Sequence, residues 1–278
     1  MRKKIIIFRI IGFFVAYIFI AGLFQVLSAW LTGMSLTAPG AMSDWQLFAT
    51  VVGSFLGTLL VLYIFTKWVD KIPFTAIGLS LHNFKKDFAL GVLLGLLPIV
   101  LGFIMLYALG LIQHITIDFR FDKLLLSILI FLLVAFNEEA FLRGYVLRNL
   151  MLAFNKYTAL IASALLFALM HIFNDHLDIV GFINIFLAGI LLGMSYIFTK
   201  NLWFPIGLHF AWNLAQSLLG FNVSGNNTYS VLHYDLSDKL TWISGGAFGF
   251  EASVISLIFE LLLIFIVYRL FKDKEWYQ

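Results

Sequence analysis

The sequence predicts an all-α polytopic transmembrane helical bundle of about eight spans, with both termini cytoplasmic. Three observations lead there. Of its 278 residues, 62% are hydrophobic and 12% charged, and the mean hydropathy is +0.99. Soluble domains carry about 25% charged residues. Apolar windows fall at 8–31, 46–66, 88–111, 124–150, 157–173, 180–199, 202–219 and 251–270, each near the ~20 residues that a bilayer crossing takes. The cations then sort by loop. Eight spans with the N-terminus inside put fifteen of them, from Arg2 to Lys274, on the cytoplasmic side, and leave Arg120, Lys123 and Lys239 on the other. That asymmetry is the one expected of cytoplasmic loops.

Taken in order, the first window follows Met1-Arg-Lys-Lys and superficially resembles a signal peptide. Phe8–Leu31 is too long for such a core and has no small-residue cleavage site, so it reads as a retained span. The second, third and sixth windows carry Gly53/Gly57, Gly91/Gly95 and Gly189/Gly193. Such spacings let helix backbones approach closely in lipid. Loop 67–87, with Phe74, Phe84, Lys85 and Lys86, suits a headgroup boundary. Loop 220–250 is the longest and, rich in Gly, Asn and Ser, is expected to be irregular. The short loops leave no room for a sizeable soluble domain, so residues 1–278 read as one integral-membrane domain. Without cysteine there is neither a disulfide framework nor a thiol nucleophile. The formal charge of +3 says little by itself; no nucleic-acid partner is expected, and the lipid bilayer is.

The fourth window ends in Asn137-Glu138-Glu139-Ala140-Phe141-Leu142-Arg143. A charge at bilayer depth costs roughly 2.5–3.5 kcal/mol even on lenient scales, so it marks function by default. Glu139 and Arg143 are i and i+4 on one helix face, while Glu138 points about 100° away. One carboxylate is thus held by the arginine and its neighbour is left for proton chemistry. The bland alternative is an ion pair that pins two helices together.

Two more polar sites interrupt apolar windows, Phe167-x-x-x-His171 and His209-x-x-x-Asn213. Glu139 lies sixteen residues before the turn at Asn155 and His171 sixteen after it. Equal offsets in an antiparallel hairpin mean equal depth, so carboxylates and imidazole are expected at one level, reachable from the cytoplasmic side. His209 and Asn213 share a face. Taken singly, histidines in apolar helices are more often packed residues than catalysts. Together the set suffices for hydrolysis: a carboxylate shielded from water is a base near neutral pH, an imidazole shares the water or protonates the leaving amine, and a second His with an Asn amide donates to an oxyanion. His82, His114, His176 and His233 receive no role. Glu260, in the last window, has a pore-facing or interhelical hydrogen bond as its bland explanation.

Glu138-Glu139-x-x-x-Arg143, Phe167-x-x-x-His171 and His209-x-x-x-Asn213, in this order on separate spans, resemble the CAAX prenyl protease and bacteriocin-processing (CPBP, or Abi) family. The stretch Gly245-Gly246-Ala247-Phe248-Gly249-Phe250-Glu251-Ala252-Ser253 is similar to a glycine-rich segment of its bacterial members. The resemblance spans roughly 138–253 and implies an intramembrane endopeptidase with a membrane-associated peptide or protein as substrate. It implies that Glu138 and His171 activate the water, that Glu139 and Arg143 support them, that His209 and Asn213 stabilise the oxyanion, and that Phe167 lines the pocket. The Ile/Phe/Lys/Asn-rich composition points to a bacterial plasma membrane, hence to peptide maturation or bacteriocin self-immunity. A non-catalytic immunity or scaffold protein and a proton-coupled transporter are the competing classes; the transporter lacks the internal repeat such folds commonly show.

The family is often called metalloproteolytic, and two His plus one Glu is a catalytic zinc set, with Glu138, His171 and His209 as candidate ligands. No His-Glu-x-x-His helix is present. Using Glu138 as a ligand leaves Glu139 as base, yet pairing with Arg143 weakens it in that role. A site with no cofactor is favoured, and one zinc ion is the alternative.

Overall fold

The computed structural model describes residues 3–34, 42–237 and 240–274. Arg2 and Lys239, counted in the charge sorting above, lie outside them. Every apolar window is helical: α1 (Lys3–Leu31), α2 (Asp44–Ile64), α3 (Phe84–Ala108), α4 (Phe121–Glu139) with α5 (Arg148–Ala153), α6 (Lys156–Met170), α7 (Ile179–Thr199), α8 (Trp203–Leu218) and, after a short α9 (Thr241–Ser244), α10 (Val254–Phe271). Six helical segments among the described residues are long and apolar enough to cross a membrane. The other two windows form α6 and α8, which are shorter at 15 and 16 residues.

The loops fall into two layers. In one, Asp70 receives Arg9 at 3.0 Å and Asn149 at 3.3 Å, Leu202 N–H donates to the Gly78 carbonyl, and Trp203 Nε1–H donates to the Ser80 carbonyl. In the other, Asn174 donates to the Ser224 carbonyl, Gly225 N–H to the Phe248 carbonyl, and Lys123 pairs with Asp44 at 3.3 Å. Both short helices run from the first layer to the second. The second layer also contains what the sequence reading missed: β1 (Ile112–Ile117) pairs antiparallel with β2 (Leu232–Leu236), irregular between Gln113 and Thr116. Part of the expected irregular loop 220–250 is therefore tied to the α3–α4 connection. The period-2 signal of five or six residues is too short to stand out beside long apolar helices.

The three glycine pairs lie at helix crossings. A methyl at Gly57 would sit 2.6 Å from Ala21 Cα of α1, and one at Gly189 would sit 2.8 Å from Ala164 Cα of α6. At Gly91 and Gly95 it would meet the carbonyl oxygens of Phe204 and Leu208 on α8. With lipid outside, close backbone contact of this kind replaces the hydrophobic drive of soluble packing. It holds α8 against α3 and α7 against α6, fixing the two helices that carry His209 and His171 relative to the rest.

Candidate active site

α4 does not end at Glu139. It continues through π-helical turns over Ala140–Leu147 into α5, without a break in the chain direction. Such turns inside α-helices are frequent at functional sites, and this one bears the arginine. Arg143 Nη1 donates to Glu139 Oε1 at 2.9 Å and Nη2 to the Gly189 carbonyl of α7 at 3.1 Å. The guanidinium also lies over the Phe167 ring, 4.6 Å from its centroid. Both partners of the pair are buried, Glu139 at 0% and Arg143 at 1% exposure. The i,i+4 pairing read from the sequence is present. Arg143, counted there among the loop cations, is instead a core residue.

Glu139 has a second partner that sequence spacing did not reveal. His209 Nδ1–H donates to the same Glu139 oxygen at 3.0 Å. The carboxylate therefore binds α8 to α4 and sets the ring so that Nε2 faces Glu138 Oε2 at 3.9 Å. An orienting hydrogen bond to one ring nitrogen is how the role of the other is fixed. Glu138, unlike Glu139, is half-buried and lines a cavity of about 600 Å³ together with Phe167, His171, His209 and Asn213. His171 caps α6, its Nδ1–H given to the Phe167 carbonyl at 2.8 Å, with the Phe167 ring 4.7 Å away. Asn213 is buried one turn beyond His209. Sequence spacing thus brings five of the seven chosen residues to one cavity and sets Glu139 and Arg143 behind its wall.

One expectation is corrected. The cavity is walled by Ser224 and Asn174 of the second loop layer and by Met42 and Leu47 beside the start of α2. It reaches the end opposite the one with the Lys- and Arg-rich loops, so it does not open on the side the sequence reading chose. Sixteen residues from Asn155 correspond to about 24 Å of helix, most of a ~30 Å hydrocarbon core. The layer nearer the cavity is the second one. The sequence reading also passed over Glu251 and left Glu260 unplaced, and both line this cavity. Glu251 follows Gly245, Gly246 and Gly249, whose φ of 87°, 54° and 109° lie in the left-handed region that glycine adopts freely.

The donor set does not fit zinc as it stands. Among the described residues no three His, Cys, Asp or Glu side chains converge on one point. His209 approaches both Glu138 and Glu139, while no carboxylate of the described residues lies within ion-pair reach of His171.

A membrane-embedded helical bundle with a buried Glu-Arg-His cluster behind a half-buried glutamate defines a class, the polytopic membrane proteins with an internal polar site. Within it, residues 120–215 match the family model described as Rce1-like: Type II CAAX prenyl endopeptidase Rce1-like. The matched stretch runs from α4 through Asn213, about a third of the chain, and over that stretch the chain is similar to the CAAX protease family. The kind of function this supports is that of a CAAX-type intramembrane protease, a hydrolase in an integral membrane protein. No curated protein and no solved structure matches the chain.

Proposed function

We propose that the protein is an intramembrane endopeptidase that hydrolyses a membrane-associated peptide or protein with a water activated by Glu138 and His171. The observation that carries the reading is the division of labour between adjacent carboxylates. Glu139 is spent on Arg143 and His209, whereas Glu138 faces the cavity. Glu138 takes a proton from water in the gap between it and His171, and the hydroxide attacks the scissile carbonyl. Protonated His209 presents Nε2–H to the resulting oxyanion, with the Asn213 amide as second donor, and the proton then passes to the leaving amine. Phe167 packs against the site and shields it from lipid. Peptide maturation or bacteriocin self-immunity in a bacterial plasma membrane is the biological setting we favour.

The site works without metal in this reading, because each candidate ligand already has another task. Protein stripped by a chelator and shown metal-free by elemental analysis is expected to keep its peptidase activity. Loss of activity restored by stoichiometric zinc, with His171 and His209 each needed for retention, would reverse that part of the mechanism.

The bilayer is crossed eight times with both termini cytoplasmic, which puts the cavity mouth on the outer face. A single cysteine at Asp44 should then react with an impermeant reagent in intact cells, and one at Asn155 only after the inner face is opened. The opposite pattern would invert the topology.

A further inference from the structure

The catalytic cavity has a second acidic wall that the hydrolytic mechanism does not use. Among the described residues three carboxylates line the cavity, Glu138, Glu251 and Glu260, and no Lys or Arg does. Glu260 is 1% exposed. Its Oε1 receives Ser256 Oγ–H at 3.4 Å, and its Oε2 has no partner. Ser256 lies one turn back on α10 itself, so this bond does not tie α10 to another helix. The interhelical hydrogen bond that would explain Glu260 as a packing device is therefore not made.

Glu251 stands near enough for its charge to act on Glu260. Its Oε2 accepts both Ser224 N–H and Ser224 Oγ–H at 2.8 Å, which fixes the carboxylate against loop 221–228. Among the described residues no Lys, Arg or His side chain lies within ion-pair reach of either carboxylate. A buried charge is costly unless a counter-charge or full hydrogen bonding meets it, and two like charges on one wall raise that cost. Glu260, a carboxylate kept within a membrane-spanning helix under these terms, marks a functional site.

We propose that Glu251 and Glu260 form a subsite for a cationic side chain, lysine or arginine, of the bound peptide. The proposal rests on the endopeptidase reading for its ligand. The entering ammonium or guanidinium supplies the counter-charge that the chain omits. Glu260 meets it from α10, and Glu251 meets it from the wall held by Ser224. Substrates would then be apolar peptides with a basic residue set off from the scissile bond.

The test uses the full chain in nanodiscs and a library of short acetylated, amidated peptides built from Ala, Leu, Phe, Ser, Glu and Lys. Retention is read by mass spectrometry on a Glu138→Gln background, which leaves bound peptides intact. Lysine-containing peptides should be enriched about tenfold over their lysine-free counterparts, the order of a desolvated charge pair. That enrichment should vanish in Glu260→Gln and fall in Glu251→Gln, which serves if the first variant fails to fold. Equal retention of both peptide classes, no retention, or a lysine preference that survives both substitutions would overturn the subsite. The same library given to the active chain separates the two ideas. Hydrolysis without lysine preference overturns the subsite and leaves the peptidase standing; lysine-dependent retention without hydrolysis does the reverse.

Discussion

Glu138→Gln is expected to remove peptide hydrolysis while leaving the protein folded. The substitution keeps the size of the side chain and its capacity for hydrogen bonding, and takes away only the base. A positioned general base contributes about 10²–10⁴-fold to a rate, so turnover should fall by that order. Glu138 is half-buried at the cavity wall, and its charged neighbour His209, 3.9 Å away through Nε2, is already held through Nδ1 by Glu139. The thermal transition should therefore stay near that of the wild type. Near-wild-type turnover in this variant would assign water activation to another group.

Arg143→Ala is expected to do something different, lowering stability and activity together. Among the described residues Arg143 is the only cation paired with Glu139 other than His209, and it also supplies the Gly189 carbonyl with a donor and packs on Phe167. Removing it leaves Glu139 buried and undercompensated. Breaking a buried pair in this way costs about 3–5 kcal/mol. Glu139→Gln should be destabilising from the other side and should also loosen His209, whose Nδ1–H it would no longer receive on a charged oxygen. Because both effects share one cause, the Glu139→Gln, Arg143→Ala double variant should lose less stability than the sum of the singles. Thermal denaturation of the four proteins in detergent measures this. Strict additivity would mean that the pair is not a unit.

Much of this arrangement was legible in the sequence, and the exceptions have physical reasons. Windows of apolar residues report lipid directly, so each window is helical, and six of the helical segments among the described residues are long enough to cross. GxxxG pairs report backbone approach, so close crossings were expected at these glycines, but their partners, α8 for α3 and α6 for α7, come from the structure. The i,i+4 rule found Glu139 with Arg143 because that contact lies within one helix. The bond from Glu139 to His209 spans seventy residues of chain, and no local period encodes it. The side on which the cavity opens was misjudged because depth was counted from one turn without comparing it with the thickness of the layer. The β1–β2 ribbon and the role of Glu251 depend on how two distant loops meet, and composition does not contain that information.

Cleavage of peptides in the membrane through Glu138 is the activity on which the mechanism stands. Its most direct test is comparative peptidomics of membranes from cells lacking the gene, complemented with wild type or with Glu138→Gln at equal expression. Peptide fragments that accumulate with the wild type alone, alongside loss of their intact precursors, are the expected result. Identical peptide profiles for the two complemented strains, with both proteins folded and inserted, would contradict it.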